Sequence, residues 1–442
     1  MALAQGSGEL IWWPYLIAKY GLTFLCLLIP ACLLQFPVNY AIGSYTLLTG
    51  ETIFQGFIRL NRGVAFVLWV LMGLSFLWFG SFASAGGTAL AALTHFPAGW
   101  SERAQTLFWA YSSIAIFFTA LVCSRIIYTV IERFMEVVAV VTLIGLTVAC
   151  SHPAVVSVLP QFLQGLCVPP PPTRPWDPVD ATKLLTAITF AGLGGFWTLF
   201  YSYWLREKGI GMAKTVGHVE GLAGRHEVAF EAGCVPSTAS PSVIRPWRRF
   251  LMVDSAIGIV GNIVTTLMTC LLAYAVLHPQ GLLPEKYEIA VVQSRFFELS
   301  WGAAGRALFL VVAAAFLSDT WMATADAVSR IHTDCILSFF PRARRWSVRR
   351  WYLICLVAGT IVTAVTMLLS EPGPLILLSA LIGFLGTVSY AALLFALNHR
   401  WLPKRLDPSL CPQRGAAVGL GVAGVAYAAL AVAYIWVRVR IH

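Results

Sequence analysis

The stretch Gly192-Leu193-Gly194-Gly195 interrupts an apolar run that is otherwise long enough to cross a bilayer, and the aromatic pair Phe196-Trp197 follows it. A second interruption, Gly6-Ser7-Gly8-Glu9, stands near the start of the chain and is followed by Trp12-Trp13. The two interruptions lie five apolar spans apart, which is the arrangement of two five-span repeats of inverted topology. Glycine breaks at corresponding points of two such halves predict discontinuous helices around a substrate site at the middle of the membrane.

The composition sets the class of protein. Of the 442 residues, 58% are hydrophobic and only 11% are charged, whereas about a quarter of the residues of a soluble domain are charged. So few charges cannot cover a water-exposed surface of this size. The composition therefore excludes a disordered chain, a secreted disulfide scaffold and an ordinary soluble enzyme, and it predicts an integral membrane protein.

Apolar runs of about 20 residues predict an all-α polytopic protein that forms one transmembrane domain over residues 1–442. A half-length span covers residues 1–20, and ten full spans follow it. The full spans cover residues 22–48, 63–94, 105–124, 134–151, 182–205, 250–277, 305–328, 351–369, 374–398 and 415–437.

The lysines and arginines predict the orientation. If the loop near residues 49–62 is cytoplasmic, 21 of the 30 Lys and Arg residues fall on that side of the membrane. Cytoplasmic loops carry such an excess, so we expect the chain to start in the cytoplasm and to end outside. The net charge of +10 is then explained by the lipid bilayer and not by nucleic acid. We expect a plasma (inner) membrane location.

Several segments resemble the natural-resistance-associated macrophage protein (Nramp) family of divalent-metal transporters. The resemblance implies a leucine-transporter-type fold, with a 5+5 inverted repeat plus an eleventh helix. It also implies a divalent metal cation as substrate. It is carried by Lys19-Tyr20-Gly21, by Leu33-Leu34-Gln35 through Thr49-Gly50, and by the ranges 131–136, 318–335 and 377–406.

The chain departs from that family at its metal ligands. The family's first-span Asp-Pro-Gly-Asn corresponds here to Gly6-Ser7-Gly8-Glu9, so the aspartate is absent and Glu9 stands at the asparagine position. The family's sixth-span Met-Pro-His corresponds to Phe196-Trp197-Thr198. Without the thioether sulfur, the oxygen ligands that remain favour magnesium or manganese over softer metals. These departures do not support proton coupling by the family's mechanism. We also expect an N-terminal truncation, because few residues precede Gly6.

Glu9 is the leading candidate ligand, since ionisable groups inside a membrane are costly and usually functional. A carboxylate can bind a divalent cation through one or both oxygens. The alternative is a neutral carboxylic acid that is hydrogen-bonded to the backbone. The other proposed members of the site supply carbonyl or hydroxyl oxygens or line it: Gly6, Ser7, Gly194, Gly195, Thr198 and Phe196.

Asp319 and Asp326 are seven residues apart on the eighth span and therefore on one helical face. They could guide cations or relay protons along a polar path. They could instead belong to a hydrogen-bond network between helices. For Asp326, which lies nearer the cytoplasmic end, the sequence favours a pair with Arg330.

These observations predict a secondary transporter that moves a divalent cation by alternating access, with no cofactor and no obligatory protein partner. The sequence contains no phosphate-binding loop, nucleophile elbow or zinc-ligand spacing, so we expect no enzymatic activity. One alternative is an amino acid or organic cation as substrate, and another is a non-transporting sensor or scaffold. The organic substrate would lie in an aromatic box formed by Trp12, Trp13, Phe196, Trp197, Tyr201 and Tyr203.

Overall fold

The computed structural model describes residues 7–124, 127–191, 194–215, 219, 222, 241–284, 288–412 and 414–441. Every regular element in these ranges is a helix. Ten helical segments are long and apolar enough to cross a membrane. The chain is therefore an integral, multi-pass membrane protein, and the prediction of an all-α fold is confirmed.

The first half of the chain contains the short helix α1 and the first four full spans. Its elements are α1 (Ser7–Tyr20), α2 (Leu28–Thr49), α3 (Ile53–Leu60), α4 (Arg62–Phe76), α5 (Gly80–Thr94), α6 (Glu102–Cys123) and α7 (Ile127–Cys150), followed by the short helices α8 (Pro153–Val156) and α9 (Leu159–Cys167).

The second half begins with a divided span and ends with a helix that packs on the outside of the bundle. Its elements are α10 (Ala181–Phe190), α11 (Phe200–Glu207), α12 (Pro241–Leu272), α13 (Ile289–Gln293), α14 (Arg295–Phe339), α15 (Val348–Thr366), α16 (Pro372–Ala396) and α17 (Arg414–Ile441).

The two ends of the bundle differ in charge. The basic end is where α2, α6, α11 and α14 finish, and it carries the arginine-rich turn at residues 341–345. The opposite end carries α8, α9 and the connection that leads into α10. The distribution of lysine and arginine predicts that the basic end faces the cytoplasm.

The centre of the bundle is α5, which lies between α14 and α6. A Cβ atom on Gly86 would overlap the hydroxyl of Ser318 on α14, and one on Gly87 would overlap the carbonyl oxygen of Thr106 on α6. Small residues allow transmembrane helices to approach this closely. The Gly- and Ala-rich sequence of α5 therefore determines how tightly the three helices pack.

The start of α1 differs from the expected interruption. The backbone of Ser7, Gly8 and Glu9 is helical, whereas we expected an unwound segment there. In a first helical turn it is the N–H groups that lack partners, because the carbonyls accept bonds from residues four positions on. The Ser7 carbonyl is thus placed to accept a helix bond and not to face a cation. Gly6 and the side chains of Ser7, Gly8 and Glu9 lie outside the described part of the structure.

Candidate functional site

The interruption of the sixth span is present between α10 and α11. The last helical residue of α10 is Phe190, and Ala191 already has a non-helical ψ of 94°. Residues 192–193 lie outside the described part of the chain. A 3-10 turn at Gly195–Leu199 then leads into α11. The span therefore consists of two half-helices joined by irregular backbone.

Two glycines are required in this connection. A Cβ atom on Gly194 would overlap the carbonyl oxygen of Thr189. Gly195 has a φ of +66°, a conformation that residues with a Cβ rarely adopt. The hydroxyl of Tyr390 on α16 donates a hydrogen bond to the Gly195 carbonyl at 2.7 Å. The carbonyl of Gly195, one of the predicted oxygen ligands, is thus already in contact with a protein donor, although an oxygen has a second lone pair.

Glycines of α16 hold the connection in place. The position of a Cβ on Gly195 lies 3.3 Å from the backbone of Gly383, so the two chains pass in backbone contact. A Cβ on Gly386 would overlap the ring of Phe196. Phe196 is fully buried, and it fills the space that Gly386 leaves. Phe196 therefore anchors the connection against α16.

Gln35 on α2 is a candidate that the sequence interpretation missed. Its side chain is fully buried, and neither its Nε2 nor its Oε1 has a hydrogen-bond partner among the described residues. Its Nε2 lies 3.3 Å from the position of a Cβ on Gly194, so it is close to the interruption. A buried amide without partners costs free energy, and such groups call for a functional explanation. In the sequence, Gln35 could have been noticed as the one amide side chain within the apolar run at residues 31–38.

Three sixth-span members of the predicted aromatic box make hydrogen bonds to different partners. The Trp197 indole donates to the hydroxyl of Thr324 on α14 at 3.2 Å, and its ring packs edge-on against phenylalanines of α4, α5 and α10. The hydroxyl of Tyr201 donates to Asp254, and that of Tyr203 donates to Asp334. These three aromatic residues therefore have three separate sets of partners. Thr198, the predicted hydroxyl ligand, is fully buried beside them.

The start of α1 lies next to α13 and near α14. The Leu10 carbonyl accepts a hydrogen bond from the Gln293 amide at 2.6 Å, and the Leu10 side chain packs against Phe316. Asp319 follows Phe316 by three residues, so it lies on the same side of α14. Asp319 is therefore a candidate neighbour of the start of α1.

Asp319 is a buried acid with an unpaired oxygen. Its side chain is 4% exposed, and no described residue forms a hydrogen bond with its Oδ1. The hydroxyl of the adjacent Ser318 is also without a partner in the described ranges. No group of three or more His, Cys, Asp and Glu side chains that could hold a metal ion occurs within the described residues. A cation bound here would therefore need carbonyl, amide or hydroxyl oxygens in addition to carboxylates.

Asp326 belongs to a different set of contacts from Asp319. Both of its oxygens accept hydrogen bonds from the Nε of Arg330 at 2.9 Å, and Oδ1 also accepts one from the Tyr352 hydroxyl at 2.8 Å. Arg330 also forms an ion pair with Glu207 at the end of α11. The pair with Arg330 that the sequence favoured is therefore present. Asp326 links helices at the basic end and is not a free acid along a path.

A further buried acid of α14, Asp334, lies one turn beyond Arg330. It accepts hydrogen bonds from the Gln55 amide at 2.7 Å, from the Tyr203 hydroxyl at 2.9 Å and from the Thr52 hydroxyl. Thr52 and Gln55 also form the capping box that begins α3. Asp334 thus connects α3, α11 and α14. The sequence interpretation missed it because the predicted eighth span ended at residue 328, before α14 actually ends.

Comparisons with known proteins identify the fold. No protein-family model matches the chain, and no curated protein sequence matches it. Among solved structures, the chain is similar to the manganese transporter of Eremococcus coleocola, with a TM-score of 0.65 and 14% identity over 97% of this chain and 83% of that one.

Two further structures are similar over nearly their whole length. Mhp1, a nucleobase-cation-symport-1 family transporter with bromovinylhydantoin bound, gives a TM-score of 0.55 at 13% identity over 99% of this chain and 90% of that one. MhsT in complex with L-phenylalanine gives a TM-score of 0.53 at 14% identity over 96% of this chain and 97% of that one. The prediction of a leucine-transporter-type fold is confirmed. At these identities the similarity establishes the fold and not the substrate.

Proposed function

We propose that the chain is a secondary transporter that moves a divalent cation across the membrane by alternating access, as a divergent relative of the Nramp family. The observation that carries the proposal is the divided span between α10 and α11 in a leucine-transporter-type fold. Irregular backbone at membrane depth is tolerated only where it is buried in protein or lines a water-filled cavity. In transporters of this kind it marks the substrate site.

The proposed site lies between the start of α1 and the glycines that join α10 to α11. Glu9 supplies the main carboxylate, and the carbonyls of Gly6, Gly194 and Gly195 and the hydroxyl of Thr198 are the oxygen ligands retained from the set proposed from sequence. We add Gln35, because its amide lies next to Gly194 and its Oε1 has no hydrogen-bond partner among the described residues. Asp319 contributes a second carboxylate nearby. An oxygen-only set of this kind favours magnesium or manganese.

Uptake of Mg²⁺ and Mn²⁺ into liposomes that contain the purified chain tests this proposal. We expect ion uptake above that of empty liposomes, and we expect Glu9→Gln to reduce it at least tenfold. Glu102→Gln serves as the matched control, because Glu102 is an exposed acid at the first turn of α6. The proposal fails if neither ion is taken up, or if Glu9→Gln transports as well as the unsubstituted chain.

An organic substrate is the second candidate, and Gln35 is the observation that favours it. The Gln35 amide presents both an unpaired donor and an unpaired acceptor, and a bare cation can use only the acceptor. An amino acid or a nucleobase-like ring could use both. Thermal-shift measurements with divalent salts, amino acids and organic amines separate the two candidates. Stabilisation by an organic compound that is lost in Gln35→Leu would favour the organic substrate.

A further inference from the structure

A groove of about 750 Å³ runs along the first four turns of α12, away from the proposed transport site. Its described lining combines two basic side chains with large apolar ones. Arg245 and Arg249 are four residues apart and both exposed, so they project from one face of the helix. Phe250, Val253 and Ile257 continue the groove toward the other end of the helix and are also exposed.

The basic and apolar ends of the groove lie at different depths in the membrane. The membrane-spanning segment that includes α12 begins at Ile244, at the basic end. Arg245 and Arg249 therefore lie where the helix enters the bilayer, at the depth of lipid headgroups. Ile257 lies about 12 Å further along the axis than Arg249, at 1.5 Å per residue, and so faces acyl chains. The basic part of the groove therefore lies beside lipid headgroups, and its apolar part lies beside lipid acyl chains.

We propose that this groove is a binding site for an anionic phospholipid. The phosphate and headgroup pair with Arg245 and Arg249, and one acyl chain packs along Phe250, Val253 and Ile257. The apolar part of the groove selects a lipid over a free phosphate ion, because a free ion would leave these side chains without a partner. The two guanidinium groups select an anionic lipid over a zwitterionic one.

The inner wall of the groove includes a residue that contacts the divided span. Asp254 lines the groove, and its carboxylate accepts a hydrogen bond from the Tyr201 hydroxyl of α11 at 2.8 Å. On the neighbouring face of α12, Leu251 packs close to Gly43 of α2, where Tyr201 also lies. A lipid in the groove therefore rests on the part of α12 that holds α11. Its occupancy should stabilise α12 whatever the protein transports.

Native mass spectrometry of the full chain, with phosphatidylglycerol or phosphatidylcholine added in equal amounts, tests the assignment. Each basic residue near an anionic headgroup contributes about 1 kcal/mol, or about fivefold in affinity. We therefore expect Arg245→Gln/Arg249→Gln to weaken phosphatidylglycerol binding about 25-fold and to leave phosphatidylcholine binding unchanged. The matched control is Arg345→Gln/Arg350→Gln, which removes two exposed arginines at the same end of the bundle and should change binding less than twofold.

Three outcomes would overturn the proposal. One is equal binding of the two lipids by the unsubstituted chain. Another is the same loss in the control variant, which would indicate general attraction to the basic end. The third is displacement of the lipid by millimolar inorganic phosphate or glycerol phosphate, which would indicate a site for a free anion. A smaller, severalfold loss in Val253→Ala/Ile257→Ala is expected if the acyl chain packs as proposed.

Discussion

The two ends of the helix bundle fix the two halves of the divided span to different neighbours. At the opposite end, Asp180 at the start of α10 pairs with Lys19 of α1 at 2.6 Å and with Lys183 at 2.9 Å. At the basic end, Glu207 of α11 pairs with Arg330 of α14, which also holds Asp326. One half-helix is thus tied to α1 and the other to α14.

The two ion clusters also differ in their access to water. The cations Lys19 and Lys183 are 17% and 18% exposed, whereas Arg330 is 4% exposed; the acids Asp180 and Asp326 are buried in both clusters. A buried charge that loses its partner is far more costly than one that can be solvated. The two halves of the sixth span are therefore expected to be held with different strengths. At the basic end, water cannot solvate the arginine of the ion cluster that holds α11. At the opposite end, water can reach the lysines of the ion cluster that holds α10.

The largest effect is expected for Arg330→Met at the basic end. It leaves Asp326 and Glu207 as buried acids without their cation, and the free energy of unfolding should fall by about 3–5 kcal/mol. Unfolding of the purified chain in detergent, followed by heat or by denaturant titration, measures this. Arg342→Met is the control, because Arg342 is exposed at the same end. Equal stabilities for these two variants would contradict the interpretation of the buried cluster.

Asp180→Asn at the opposite end should have a smaller effect, about 1–3 kcal/mol, because the two lysines that lose the carboxylate remain partly solvated. Asp177→Asn is the matched control, since Asp177 is 46% exposed and 3.5 Å from Lys19, and it should cost less than about 1 kcal/mol. Raising the salt concentration from 0.1 to 1 M should reduce the effect of Asp180→Asn and leave that of Arg330→Met unchanged. If salt instead weakened the effect of Arg330→Met and left that of Asp180→Asn unchanged, the cluster at the basic end would be the more solvated one, contrary to our interpretation.

Tyr203→Phe removes one of the three donors to Asp334 at the basic end. The other two donors, Thr52 and Gln55, remain. We expect the free energy of unfolding to fall by about 1.5 kcal/mol, which is the low end of the range for a hydrogen bond to a charged group. Tyr274→Phe is the control, because the Tyr274 hydroxyl donates to Gln161 in an exposed contact. If Tyr203→Phe is as harmless as this control, Asp334 does not hold α11.

The smallest change in stability is expected for Gln35→Leu, which separates a binding role from a structural one. Because the amide has no partner among the described residues, an apolar side chain should leave the free energy of unfolding unchanged or raise it by about 1 kcal/mol. Substrate binding or uptake should nevertheless fall at least tenfold. A clear loss of stability would show that Gln35 has a structural partner. Unchanged uptake would remove Gln35 from the site.

The sequence predicted the fold class well because the bilayer imposes a one-dimensional rule. A helix that crosses the hydrocarbon region needs about 20 apolar residues, and this can be counted without knowing the contacts. The interruption at residues 192–195 was also visible, because three glycines within four residues lower the local helix propensity of the span. The pair between Asp326 and Arg330 followed from their spacing of four residues on one helix.

The contacts between distant segments were not visible in the sequence. The partners of Asp334 are 279 and 131 positions away for Gln55 and Tyr203. The proximity of Gln35 to Gly194 depends on how α2 packs against the divided span. No local pattern encodes such distances, because they result from the packing of the whole bundle. The proposed ligand Glu9 remains a prediction, since its side chain lies outside the described residues.

The sequence by itself determined that this chain spans a membrane many times and approximately where its helices run, whereas it predicted two divided spans of which the described structure shows the sixth. Those properties depend on the free energy of transferring each segment into hydrocarbon, which is a local sum over residues. The tertiary structure decided which polar groups are satisfied and which are left over. A buried acid or amide finds a partner only where another helix presents one. That packing gives Asp326 an arginine and leaves the Gln35 amide and one oxygen of Asp319 without partners among the described residues.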